Sequence, residues 1–105
     1  MYLGRDFDPT QVGEAEFYGF DFTPEIDTAD TISSVAWTCT VAAISPASDP
    51  SPSARIVGGS STIDGKKVYV KLSGFVAGVI YSLQAIITTA AGETVALWAN
   101  VKCEP

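Results

Sequence analysis

Between residues 30 and 41 the chain reads DTISSVAWTCTV, and its apolar and polar positions alternate with a period of two. Val35, Trp37, Cys39 and Val41 fall on one face of an extended strand and Ser34, Ala36, Thr38 and Thr40 on the other, because successive side chains of a pleated backbone point to opposite sides. β-Branched and aromatic residues suit that surface, and Trp37 is large enough to be the central plug of a small core. The same period recurs along the chain. In EFYGFDF (16–22), Tyr18, Phe20 and Phe22 share a face, and Gly19 marks either a bulge or a close approach. In residues 67–73, Val68, Val70 and Leu72 point inward while Lys67, Tyr69 and Lys71 point outward, and lysines suit an edge or a solvated face. Residues 77–89 place Tyr81, Leu83, Ala85 and Ile87 on one side. TVALWANVK (94–102) turns Val95, Leu97, Ala99 and Val101 inward and Trp98 outward.

The punctuation between these segments is that of turns. Asp64-Gly65 is the strongest hairpin signal, and Ala91-Gly92-Glu93 predicts the last hairpin. Pro24 opens a turn-rich loop over 23–31. Residues 42–54, AAISPASDPSPSA, hold three prolines and four serines; they predict an exposed loop, stiff and poor in ladder donors, where the protein tolerates change or touches a partner. Short strands are expected at 55–57 and 61–63, on either side of Gly58-Gly59. Residues 1–13 have no sustained period and are broken by Gly4, Pro9 and Gly13, yet carry Tyr2, Leu3 and Phe7. Such an arm either packs back on its own domain or lies on a neighbour.

No ten-residue stretch has a helical stripe. Roughly seven short strands separated by closely spaced turns predict an all-β fold, a single antiparallel β-sandwich over 15–105 preceded by an extended arm over 1–14. The GVIYSL stretch (78–83) resembles the tyrosine corner of immunoglobulin-like domains, where a tyrosine hydroxyl near the start of a late strand bonds upstream backbone, so the sandwich is expected to be immunoglobulin-like. The cysteines depart from that pattern, since Cys103 stands at the end of the last strand.

At 105 residues the chain has room for one core. Its net charge of −6 is unevenly placed: residues 1–30 hold eight carboxylates against Arg5 alone, and the remaining 75 residues hold five basic and four acidic groups. An acidic N-terminal segment favours basic protein surfaces and repels phosphate backbones, which argues against nucleic acid as a partner. The longest apolar runs are only a few residues, so no membrane partner is expected. Asp6 and Arg5 stand where a signal peptide would have its apolar region, so synthesis and retention in the cytosol are expected. Cys39 and Cys103 share the inward parity of their strands, and two small buried hydrophobes is a simpler reading than a bridge.

Candidate chemistry is sparse. There is no histidine, which removes the commonest general base and a frequent metal ligand. Asp21, Glu25, Asp27 and Asp30 could hold Ca²⁺, but they lack the spacing of a calcium loop, and a solvated acidic loop explains them. A glycosidase pair among them would need a cleft that nothing else predicts. Ser33-Ser34 and Ser60-Ser61 have no activating base, and Gly58-Gly59 is followed by no GK[ST]. The expectation is a non-enzyme without cofactor or metal. Outward aromatics remain: Tyr69 and Trp98 are either interface anchors or are covered by the arm or a second core face.

The order RDFDPTQVGEAEFYGFDFT, then DTISSVAWT, then LSGFVAGVIYSLQAIITTAAGET resembles small immunoglobulin-like proteins encoded among the virion-assembly genes of tailed bacteriophages, of fibre-tail adaptor or head-tail accessory type. The 42–54 insertion departs from shorter versions. The resemblance implies a virion structural protein, made in the host bacterial cytoplasm and present in several copies. It would dock onto head, neck or tail proteins and link fibres or neighbouring subunits. Tyr2, Phe7, Asp8 and Pro9 of the arm, with Tyr69 and Trp98, are the expected contacts. Capsid decoration is the alternative within that class, and a glycan-binding adhesion module using Trp98, Tyr69 and the proline loop is the alternative outside it.

Overall fold

A computed structural model describes residues 2–3 and 6–104. Its strands are β1 (Thr10–Gln11), β2 (Ala15–Asp21), β3 (Ile32–Val41), β4 (Thr62–Asp64), β5 (Lys67–Ser73), β6 (Ile80–Thr89) and β7 (Thr94–Glu104), with 3₁₀ turns at Thr23–Glu25 and Pro52–Arg55. They form two sheets, ordered β1-β7-β6-β3 and β2-β5-β4. The fold is all-β, and the apolar faces of the two sheets make one core.

Parity assigns that core well. Tyr81, Leu83, Ala85 and Ile87 of β6, Leu97, Ala99 and Val101 of β7, and Val68, Val70 and Leu72 of β5 are all at most 2% exposed. Tyr18, Phe20 and Phe22 face them from β2 and its end. Phe75, outside any strand, is also buried and sets its ring 5.6 Å from Tyr81 and 6.4 Å from Tyr18. Cys39 and Cys103 are buried free thiols, and burial pushes the Cys39 thiol up to about 12.

Three expectations need correction. Trp37 has the inward parity assigned to it but is only half-buried, since β3 is the edge of its sheet and the opposing sheet ends in the three-residue β4. Its ring lies 5.9 Å from Phe20, and its Nε1–H donates to Ser61 Oγ at 2.8 Å. The core centres instead on β5 and β6, which have neighbours on both sides. Pairing is not wholly antiparallel, because β1 runs parallel to β7, with Thr10 opposite Cys103.

Residues 55–57 form no strand. Pro52 opens a 3₁₀ turn, and only Ile56 bridges to Leu72 before the Gly58-Gly59 turn. There the Ser60 hydroxyl, not a backbone carbonyl, accepts the Lys71 N–H. The 42–54 segment lies on the surface, as expected, and is pinned to the sandwich. Ile80 N–H donates to Ser45 Oγ, and Asp49 is 7% exposed.

Asp49 explains the pinning. Its Oδ2 accepts the Tyr81 hydroxyl at 2.7 Å, its Oδ1 accepts Ser51 N–H, and Arg55 Nε stands 3.6 Å away. Tyr81 in turn accepts Val76 N–H at 3.0 Å, the upstream backbone bond expected of a tyrosine corner. Burial would raise the Asp49 carboxyl, but Ser51 N–H, the Tyr81 hydroxyl and Arg55 together hold it below the usual carboxylate range. Tyr81 is pushed up to about 12, first by burial and then by the bond to Asp49.

Candidate docking surface

The described residues of the arm touch both sheets of the sandwich. Tyr2 bridges to Trp98 in parallel, Leu3 N–H donates to Trp98 O at 2.8 Å, and Phe7 N–H donates to Asn100 O at 3.0 Å. The Asn100 N–H is capped by a side chain, Asp6 Oδ1, which also accepts the Tyr2 hydroxyl. That hydrogen bond raises the pKa of Tyr2. Phe7 then crosses to the other sheet, with its ring edge-on to Tyr18 at 5.0 Å and to Phe20 at 5.4 Å. Thr10 is fully buried, and its hydroxyl donates to Glu14 across the turn into β2.

The six expected contact residues therefore have different positions. Tyr2, 40% exposed, and half-buried Trp98 form a tilted ring pair with centroids 4.7 Å apart on the outer face of the β7 sheet. Asp8 and Pro9 are exposed. Phe7 is half-buried and turned into the sandwich. Tyr69, on the outer face of the other sheet, covers Gly19: a β-carbon there would meet the Tyr69 ring at 2.5 Å. Gly19 is thus a close approach, and β2–β5 register runs through it without a bulge. Leu3, Asp6, Phe7 and Asp8 line a small cleft of about 170 Å³ with Gly19, so the arm links the Trp98 side to the Gly19–Tyr69 side.

Other exposed apolar groups stand beyond the six. Phe17 is 61% exposed beneath Lys71 Nζ at 5.8 Å, Val12 is 56% exposed in the turn after β1, and Ile44 is 71% exposed. The outward parity of Phe17 is readable in β2, whereas Val12 and Ile44 sit in irregular segments with no period to read.

Behind Trp98, the outer face of β3, β6 and β7 carries a trough of about 600 Å³. Its floor is set by register, with Thr40, Ser82 and Asn100 in one cross-strand row and Thr38, Gln84 and Trp98 in the next. Apolar Val41, Ala42, Ala43 and Ile44 complete the lining. No lining residue is charged.

The acidic residues near β2 and β3 serve turns. Asp21 accepts from Thr23 N–H and hydroxyl, Asp27 from Ala29 N–H, and Asp30 from Thr31 and Ala91 N–H. Lys66 Nζ ties this loop down through the carbonyls of Asp27 and Thr28.

A family model described as podophage GP4 fiber-tail adaptor protein gp77 matches residues 11–97. The chain belongs to that family, whose name is that of a structural component of phage tails. No curated protein matches.

Proposed function

We propose that this fibre-tail adaptor docks its neighbours in the virion through the belt formed by the arm and the residues beside it. Tyr2, Asp8, Pro9, Trp98 and Tyr69 supply the contacts, and Phe7 holds the arm in place from inside. The carrying observation is the course of the arm, hydrogen-bonded to β7 and packed on β2, with a Tyr2–Trp98 pair at one end and exposed Asp8 and Pro9 at the other. Aromatic anchors beside an extended segment suit recognition between proteins. The two-sheet layout and the Tyr81 corner support an immunoglobulin-like sandwich, a rigid body that repeated copies can present in a ring. Synthesis in the host cytoplasm, several copies per particle and the absence of nucleic-acid or membrane partners belong to the same reading.

Cryo-electron microscopy of the phage particle tests it. Density at the neck or tail, with the first fifteen residues buried against another subunit, is the expected result. Density spread over the capsid lattice would make the protein a decoration protein, and absence from the particle would end the virion reading.

A further inference from the structure

The edges of the two sheets are protected unequally. β1 is two residues long and β4 three. β2 carries Glu16 and Asp21, and the arm residues Leu3, Asp6, Phe7 and Asp8 stand beside its Gly19. β3 is different: it runs for ten residues, ISSVAWTCTV, without a charge or a proline, and pairs with β6 alone. Proteins ordinarily blunt a long edge with lysine, proline, a bulge or a cover, because its unpaired N–H and C=O groups are a template for another strand. The register shift of β3 lies at its start, between Ile32 and Ser34. At its other end Cys39 is buried, close enough to Asp49 and Arg55 for both charges to act on its thiol. The open stretch is therefore 34–38, where Ser34, Ala36 and Thr38 are exposed.

The ladder fixes which groups point outward. Ala42 N–H donates to Ile80 O, and residues of an antiparallel pair bond their partner strand at every second position. Thr38, Ala36 and Ser34 thus turn their backbone groups to β6, while Val35 and Trp37 turn theirs to the open side. The Trp37 side chain is already held inward, its ring on Phe20 and its indole N–H on Ser61 Oγ. An extended chain is the ligand that such a row of donors and acceptors fits.

The stretch SVAWT also matches itself. A two-fold axis at Ala36 sets Val35 of each copy against Trp37 of the other in a hydrogen-bonded pair, a β-branched residue beside an aromatic one. Ala36 then meets its own counterpart in the closely spaced, non-bonded pair, where a small side chain fits, and Ser34 meets Thr38 as a hydroxyl pair. Charge favours the same choice. Two copies of net charge −6 repel, and a charge-free edge lets them meet without a like-charge contact.

We propose that β3 pairs antiparallel with β3 of a second copy across a two-fold axis at Ala36, joining the two β1-β7-β6-β3 sheets into one. This edge is opposite the one the arm covers, so the contact is separate from the docking belt and does not rest on it.

The test is sedimentation equilibrium of the full chain, with hydrogen exchange read at low and high concentration. The open stretch is short, so the contact is small and association is weak. Expected is a monomer–dimer equilibrium below about 1 mM, with the Val35 and Trp37 amides exchanging about tenfold slower in the dimer. Ala36→Lys and Ala36→Glu, at an exposed outer position, should each weaken dimerisation about tenfold or more, and mixing the two variants should restore it. A chain that stays monomeric to about 1 mM, a dimer that both variants leave intact, or variants that fail to recover on mixing would each overturn the proposal. Protection of Val35 and Trp37 that arises only when another particle protein is added would give the edge to a foreign strand and overturn it too. Where a variant fails to fold by circular dichroism, the concentration dependence of exchange in the parent chain decides.

Discussion

Replacing Tyr81 by Phe removes one oxygen from the centre of the fold and leaves the apolar packing in place. That oxygen donates to Asp49 at 2.7 Å and accepts Val76 N–H at 3.0 Å. A hydrogen bond to a charged group contributes about 1.5–3 kcal/mol, and a neutral one about 0.5–1.5. Asp49 is 7% exposed, so water does not readily replace the lost donor. The remaining partners are Ser51 N–H and Arg55 Nε, the latter at 3.6 Å and without a hydrogen bond of its own. The expected loss is about 2–4 kcal/mol, a large fraction of the roughly 5–15 kcal/mol that stabilises a domain. For a domain of this size the melting temperature should fall on the order of 10–20 °C.

Urea denaturation of parent, Tyr81→Phe, Asp49→Asn and the double variant completes the cycle, with an expected coupling of at least about 1 kcal/mol. Because the carboxyl of folded Asp49 is held below its ordinary value, its contribution is present above the unfolded pKa near 3.9 and is lost as pH falls through the folded value. The Tyr81→Phe penalty should therefore shrink on acidification. A penalty under about 0.5 kcal/mol at neutral pH, or strict additivity in the cycle, would refute the reasoning.

Gly19→Ala should destabilise the domain by about 1–3 kcal/mol, because the new methyl meets the Tyr69 ring; adding Tyr69→Ala should recover part of that loss, and denaturation midpoints of the three variants check it. Gly74→Ala combines φ of +74° with a β-carbon 3.0 Å from Arg55 Nη1, so about 1–2 kcal/mol should be lost, again read by urea titration. At alkaline pH, Cys39, Tyr18 and Tyr81 are each raised to about 12 in the folded state, chiefly by burial. Their contribution is full below the unfolded values near 9 and 10 and is lost as pH rises toward 12. Thermal melts should thus be flat up to about pH 9 and fall steeply between 9 and 12.

Much of the fold is legible in the period-two pattern. The inward sets of β5 and β6, and Leu97, Ala99 and Val101 of β7, are buried as their parity requires, since a strand with one covered face has its register fixed by that face. Parity gives the face and not the place in the sheet. That is why Trp37, correctly oriented, lies near an edge while Tyr81 and Phe20 are the large side chains at the centre. The Asp64-Gly65 signal marks a real hairpin, although Asp64 pairs with Lys67 and the turn is Gly65-Lys66.

Bonds between distant residues were not legible. Nothing local in SPASDPSPS says that Asp49 meets a tyrosine 32 residues away, and a two-residue parallel strand such as β1 has no period to detect. At the proposed docking surface, sequence parity found Trp98 and Tyr69 outward. It could not tell that Tyr2 would stack on one and Gly19 lie beneath the other.

The arm is best understood as a clamp across the two sheets. Its hydrogen bonds are to β7, whereas the Phe7 ring rests on Tyr18 and Phe20 of β2, so one segment spans strands that have no backbone pairing with each other. If so, Phe7→Ala should behave as a core variant. Full burial of a phenylalanine would imply about 3–5 kcal/mol, and half-burial reduces the expectation to about 1.5–3 kcal/mol. Loss of the clamp should also release the Asn100 amide, whose acceptor is Asp6 one residue before Phe7, so its hydrogen exchange should accelerate toward that of an exposed edge. An unchanged midpoint together with unchanged Asn100 exchange would show that the arm contributes nothing to the isolated domain. In the docking proposed above, contacts already made by the described arm residues would spare part of the entropy of fixing an extended segment.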